Sequence, residues 1–199
     1  MGRHDANSDC TKKRVQGLPP IVSQKSKVLI LGSMPGVKSR DAGEYFANPQ
    51  NKFWDIMGEL FGAGLSLPYR KRVARLKSVD VALWDTLREC EIKGSSDASI
   101  KEEVVNDFPA FFKKHTKITH VFFNGKKSEE DFQRYALPSL TEKKLLFARL
   151  PSTSSARAMN WDVKVQAWRV CGRCAYRYRL RNLSQRSLFS EALPSTMDR

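Results

Sequence analysis

Val28-Leu29-Ile30-Leu31-Gly32 is a run of four apolar residues closed by glycine, with Lys27 before it and the turn-forming Ser33-Met34-Pro35-Gly36 after it. The run is too short for a buried helix and shows no polar alternation. It therefore predicts a strand buried on both faces, as in a parallel sheet. Three similar runs follow, over residues 79–84, 118–123 and 145–150. Helical patterns separate them. Residues 53–61 carry apolar side chains at helical spacing and stop at Gly62 and Gly64. Pro68 suits the start of a helix over residues 69–76. Asn106-Asp107 reads as the cap of a helix carrying Phe108, Phe111 and Phe112, with Pro109 tolerated in its first turn. Residues 126–135 and 162–170 complete the helical set. Strand and helix alternate without internal repeats. The expected fold is a three-layer α/β/α sandwich around a central, mainly parallel four-stranded sheet.

The two ends read differently. Residues 1–25 are polar and basic, with Lys12-Lys13-Arg14 and then Pro19-Pro20, and predict a flexible leader. Residues 26–171 form the folded domain. Beyond it, Tyr176-Arg177-Tyr178-Arg179-Leu180-Arg181 alternates aromatic and basic side chains. That pattern fits a strand with one basic face, or a disordered basic extension over residues 172–199. The extension is expected, because nothing downstream offers a strand partner.

A chain of 199 residues supports one α/β domain with a real core and is too short for two full-sized ones. The formal net charge of +14 suits a phosphate backbone as partner, although solubility, a membrane surface or a ribosomal partner would also fit it. No stretch approaches the ~20 apolar residues needed to span a bilayer. The N-terminal MGRHDANSDC lacks an apolar signal core. No membrane association, a nuclear or cytoplasmic location and a monomer are expected. Cys10, Cys90, Cys171 and Cys174 are too few for a disulfide framework in a chain this long. Cys171-Gly172-Arg173-Cys174 is a single CxxC, read as two ordinary thiols rather than a zinc or redox centre. Neither metal nor cofactor is expected.

Open parallel sheets gather their ligands at the carboxyl ends of the strands. The loops that fall there are rich in glycine, proline and hydroxyls, which lets backbone N–H groups approach phosphate oxygens closely. After the first strand comes GSMPGVKSRDAGEYFANPQNKFW (residues 32–54), and after the fourth LPSTSSARA (150–158). Two such loops on a basic chain point to nucleic acid more strongly than one. The nucleotide-binding patterns GxxxxGK[ST] and GxGxxG are absent.

The first loop resembles the first signature of the uracil-DNA glycosylase superfamily, and is closest to its hypoxanthine-DNA glycosylase (DNA-deoxyinosine glycosylase) branch. LPSTSSARA resembles that branch's second signature. The intervening LWDTLRECEIKGSSDASI (83–100) and VFFNGKK (121–127) also fit, in matching order and spacing over residues 26–170. The resemblance implies a uracil-DNA glycosylase-like fold and an enzyme of base excision repair. It would cut a flipped-out deaminated base, hypoxanthine foremost, from its sugar and leave an abasic site. DNA containing deaminated bases is then the partner.

That chemistry matches the residue types. A base stacked in a duplex must be extruded before its glycosidic bond can be reached. Ser33, Pro35, Lys38, Pro151, Ser152, Thr153, Ser154 and Arg157 are expected along the DNA backbone. Tyr45 or Phe46 would stack on the base, Asn124 would read its edge, and Asp85 would shape the pocket or cap the next segment. By resemblance, Asn51 positions the attacking water; from the residues alone it could equally cap the helix that starts at Phe53. Many superfamily members use an Asp or Asn in the first glycine-containing turn, where this chain has Ser33-Met34, and this moves the catalytic expectation to Asn51. The second signature opens with Leu150 where uracil enzymes carry a His that supports the departing uracil anion, which argues against a fast uracil enzyme. Ser155 and Arg157 stand where this branch has Pro and His, changes that would retune the grip on DNA. No Lys nucleophile is indicated, so strand cleavage through a Schiff base is not expected. The alternatives are a uracil- or mismatch-directed glycosylase, and a catalytically silent basic nucleic-acid-binding protein of the same fold.

Overall fold

The structure, a computed structural model, describes residues 13–92, 101–140, 144–156 and 159–190. Strands β2 (Val28–Gly32), β3 (Val81–Asp85), β6 (His120–Asn124) and β7 (Leu146–Leu150) form the central sheet, in the order β3-β2-β6-β7. Every pairing in it is parallel. All five residues of β2 are buried, as its uninterrupted apolar run requires.

The register places Leu31 beside Trp84 and Phe123 on one face of the sheet. There Trp84 meets Phe108 and Phe111 of α4 (Phe108–Lys114), and Phe123 meets Phe132, just past α5 (Lys126–Asp131). On the other face α6 (Trp161–Ser190) packs on β2 and against α2 (Phe53–Phe61). This is the three-layer arrangement expected. Local chemistry sets the ends: Asp107 accepts a hydrogen bond from the Ala110 N–H, and Gly62 closes α2 with a left-handed φ of 67° that glycine adopts without strain. A further helix, α3 (Tyr69–Ser78), leads into β3.

Several expectations need correction. Residues 13–25 do not form a flexible leader. Strand β1 (Lys13–Gln16) pairs antiparallel with β4 (Leu87–Ile92), and β4 with β5 (Lys101–Val105), giving a second sheet of three strands. Val15, Leu87, Cys90 and Met34 form its small core. Ile21 then exchanges two 2.8 Å backbone hydrogen bonds with Leu83, covering the edge of the main sheet. A short helix, α1 (Val37–Ala42), interrupts the loop after β2. The helix expected over residues 126–135 widens into a π turn at Phe132–Ala136 and tightens at Leu137–Ser139. Finally, α6 does not stop near residue 170. Its backbone is helical to Ser190, across much of the stretch expected as a disordered extension. From residue 173 to 190 the sequence contains neither glycine nor proline, so nothing in it breaks the helix. Among the described residues no helix is long and apolar enough to cross a membrane.

Trp168 joins α6 to the rest. It is 0% exposed, lies edge-on to Phe53 with ring centroids 6.1 Å apart, and donates its indole N–H to the Pro151 carbonyl at 2.9 Å. Trp168→Ala removes a large buried ring and leaves that carbonyl without its donor, and is expected to lower unfolding free energy by about 3–5 kcal/mol in urea titration.

Burial pushes the Cys90 thiol up to about 11 and the Cys171 thiol well above the ordinary range; it also raises Tyr45, with the nearby Asp85 charge adding to the effect. In each case the folded state favours the neutral form. The associated stability is complete below the unfolded thiol value of about 8.5 and is lost as pH rises through the folded values. The denaturation midpoint should therefore fall between about pH 9 and 11. Cys90→Val should make that fall shallower.

Candidate active site

The carboxyl ends of β2, β3 and β6 and the loop after β7 enclose a cavity of about 170 Å³. A cavity of roughly 150 Å³ accepts benzene, so this one has room for a single flat heterocycle. Asn51, Phe46, Asp85 and Asn124 line it together with Ser33, Ser152 and Ser154. Residues far apart in the sequence, all expected at the site, thus share one wall.

Gly32 and Asp85 are register partners. The Asp85 side chain leans across the glycine so closely that a Cβ at position 32 would fall inside contact distance of Oδ1. Asp85 is 3% exposed, and its backbone carbonyl accepts a 2.8 Å hydrogen bond from the Asn106 amide. The strand end below is held by Ser128 of α5, whose hydroxyl lies 2.9 Å from the Leu31 carbonyl and 3.0 Å from that of Gly32.

Phe46 has a φ of 54°, the left-handed region that a bulky residue avoids. Its ring stacks on Phe53 with centroids 4.0 Å apart and planes 19° from parallel. Tyr45, the other aromatic candidate, sits deeper. It is 3% exposed and its hydroxyl reaches the carbonyls of Leu18 and Pro19, so it walls the cavity while anchoring the N-terminal segment.

Asn51 lies at the cavity, one residue before Lys52, the cap of α2. Its Oδ1 accepts a 3.0 Å hydrogen bond from the Phe53 N–H at the start of α2, and its side chain lines the cavity. A carbonyl oxygen has a second lone pair, so the first bond orients the amide without exhausting it.

Asn124 is engaged differently from expectation. Its Oδ1 accepts from the Thr153 N–H and its Nδ2 donates to the Thr153 hydroxyl, both at 2.8 Å. Thr153, expected at the DNA backbone, is 0% exposed, and its carbonyl accepts from the Lys52 N–H at 2.9 Å. Of the other backbone candidates, Lys38 is exposed on α1, while Pro35 is buried in the cavity wall and its carbonyl accepts from the Arg40 guanidinium. Pro151 and Ser152 are half-buried; the Ser152 hydroxyl accepts from the Ser154 N–H at 3.2 Å and so stiffens the loop. Arg157 lies outside the described residues.

Sequence reasoning missed Ser39 and Asn48, which also line the cavity. Ser39 is buried and its hydroxyl accepts from the Ala47 N–H at 3.1 Å, bracing the Phe46 backbone. A signal existed: both lie within the first signature, between Gly32 and Asn51.

The strand ends of the parallel sheet thus form a small polar cavity under loops rich in hydroxyls, the place where open α/β sheets bind their ligands. The sequence model described as "Uracil DNA glycosylase superfamily" matches residues 19–171, and the chain belongs to that superfamily. A protein named hypoxanthine DNA glycosylase from Methanosarcina barkeri is 37% identical over 116 residues, 58% of this chain and 73% of that protein. One of the same name from Methanosarcina acetivorans is 34% identical over the same shares. The solution NMR structure of a candidate uracil DNA glycosylase from Methanosarcina acetivorans superimposes with a TM-score of 0.71 at 28% identity, covering 82% of this chain and 99% of that one.

The positive φ at Phe46 gives a test of backbone strain. Alanine there removes the ring and keeps the strain, whereas glycine removes both. Phe46→Gly is expected to unfold at higher denaturant than Phe46→Ala, by about 1 kcal/mol, the reverse of the usual order at an ordinary backbone position. Equal or opposite stabilities would show that the residue is not strained.

Proposed function

We propose that the chain is a monofunctional DNA glycosylase of base excision repair that hydrolyses the N-glycosidic bond of a flipped-out deaminated base, hypoxanthine in deoxyinosine first. The observation that carries this reading is the convergence of Asn51, Phe46 and Asp85 on one base-sized cavity. Superfamily membership and the names of the Methanosarcina relatives support it.

The base enters with one face against Phe46, a stacking contact worth about 1–3 kcal/mol. Asp85 reads its edge. Deamination converts the ring nitrogen lone pair of adenine or cytosine into the N–H of hypoxanthine or uracil, and a carboxylate accepts from that N–H where it would repel a lone pair. Burial sharpens the distinction, because an unmatched polar group costs more away from water.

The glycosidic bond breaks towards an oxocarbenium-like sugar, and the electron pair departs with the base. A water molecule supplies the new bond to the anomeric carbon, and the proton it loses neutralises the departing base anion. Asn51 Oδ1, oriented by the Phe53 N–H, accepts a hydrogen bond from that water and holds it for attack. The proposed route is direct hydrolysis by this water, with no Schiff base and no strand cleavage.

The test uses oligonucleotides carrying one deoxyinosine, deoxyuridine or deoxyxanthosine, followed by alkali to reveal abasic sites. Turnover should be highest on deoxyinosine and fall by about 100-fold or more in Asn51→Ala, with binding to the same DNA retained. Asp85→Ala should weaken the preference for deoxyinosine over deoxyadenosine. Wild-type turnover by Asn51→Ala would remove that residue from the mechanism. Absence of abasic sites on every substrate would favour a silent DNA-binding protein.

A further inference from the structure

Thr153 is fully buried, yet its N–H, hydroxyl and carbonyl each hydrogen-bond a residue distant in sequence. The N–H and hydroxyl meet the two ends of the Asn124 amide, and the carbonyl meets the N–H of Lys52. Lys52 is the residue after Asn51, and Asn51 Oδ1 is held in turn by the Phe53 N–H. A continuous chain of hydrogen bonds therefore runs from the end of β6, through the loop after β7, to the start of α2.

We propose that Asn124 and Thr153 act as a positioning clamp that fixes Asn51 against the loop after β7, rather than as contacts to the base and the phosphate. This rests on the reading of Asn51 as the residue that holds the water. Several observations support the assignment. Both polar ends of the Asn124 amide are directed at one residue, with matched donor and acceptor at 2.8 Å, an arrangement that fixes the amide's orientation. Thr153 has no exposed surface to offer a phosphate. Lys52 is the N-cap of α2, a position whose N–H has no partner within the helix, and the Thr153 carbonyl supplies one. The clamp therefore locates the backbone on one side of Asn51, while the Phe53 N–H locates its side chain. A water-holding group displaced by about 1 Å can lose on the order of 100-fold in rate. Groups that hold it in place affect the chemical step without touching the substrate.

Four variants separate the roles. Thr153→Val keeps shape and backbone but loses the hydroxyl, and Thr153→Ser keeps the hydroxyl. Asn124→Leu loses both side-chain bonds. Asn124→Asp still accepts from the Thr153 N–H and accepts from the hydroxyl, which turns to donate. Single-turnover kinetics on deoxyinosine DNA, over a range of enzyme concentrations, separate the chemical rate from the half-saturating concentration. Thr153→Val and Asn124→Leu should lower the rate by about tenfold or more, with half-saturation and the hypoxanthine-to-uracil ratio unchanged. Thr153→Ser and Asn124→Asp should stay close to wild type. In an Asn51→Ala background, Thr153→Val should cause little further loss. Independently of turnover, amide exchange at Lys52 and Phe53 should quicken in Thr153→Val while α4 keeps its protection.

A changed base preference in Asn124→Leu would overturn the proposal in favour of base reading. A changed half-saturation in Thr153→Val would do so in favour of phosphate contact. If Asn124→Leu does not fold, Thr153→Val, which keeps its backbone hydrogen-bonding groups, carries the test. Wild-type activity in Asn51→Ala would remove the mechanism beneath the clamp. An inactive Asn51→Ala beside wild-type rates and exchange in Thr153→Val would remove the clamp alone.

Discussion

The absence of a side chain at Gly32 is the constraint on which the site depends. Gly32 and Asp85 stand side by side at the ends of β2 and β3, and the Asp85 carboxylate occupies the space in which a residue at position 32 would begin its side chain. The tip of the Phe46 ring would lie 3.9 Å from the same Cβ. One missing methyl group therefore lets a carboxylate and an aromatic ring approach the same point from different sides. Parallel pairing does the rest, because strands that run the same way end together and bring their loops to one rim.

Phe46 is held in an unfavourable backbone conformation by contacts on several sides. Its ring lies on Phe53, the edge of Trp168 meets Phe53 from α6, and the buried Ser39 hydroxyl takes the next N–H in the chain. The layer behind the sheet thus reaches the cavity through a stack of rings. Since α6 also holds the Pro151 carbonyl through Trp168, one indole supports both the aromatic platform and the loop that carries Thr153. Packing and site geometry are mechanically linked, and a core substitution at Trp168 reaches both.

The main sheet was legible from the apolar stretches of its strands, uninterrupted and buried in β2 but broken by Arg149 in the mostly exposed β7, and α2 because its apolar residues recur at helical spacing between clear stops. The second sheet was not, for a physical reason. In β4 the buried residues Leu87 and Cys90 are three apart, since register shifts against β5 break the two-residue alternation that marks a half-buried strand. Strand β1 is short and basic, and its buried Val15 gives no pattern by itself. Helix α1 carries no apolar stripe and ends at Gly43, so it read as loop. At the site, the residue types and loops were legible, but the direction of a side chain was not. Asn124 falls at a strand end whether its amide faces a base or Thr153, and sequence does not distinguish the two.

The surplus of positive charge can be divided by where the acids are used. Lys27 sits almost buried against Asp80 at 2.9 Å, and Lys127 lies between Asp131 at 2.7 Å and Glu103 at 3.1 Å. A charge withdrawn from water needs a partner, so acids drawn inward are matched to the cations they meet there. Lys38 on α1 and Arg70 and Lys71 on α3 remain exposed, where their field extends about 8 Å at physiological salt. The cavity lining itself contains no Lys or Arg among the described residues, and its polar side chains are a carboxylate, amides and hydroxyls. On the proposed reading, attraction to a polyanion and recognition of one base would be carried by separate groups. The attraction is sensitive to salt and indifferent to sequence; the recognition is shielded and dependent on shape. This division lets a protein move along DNA on its surface charge while reserving the cavity for the rare base that leaves the stack.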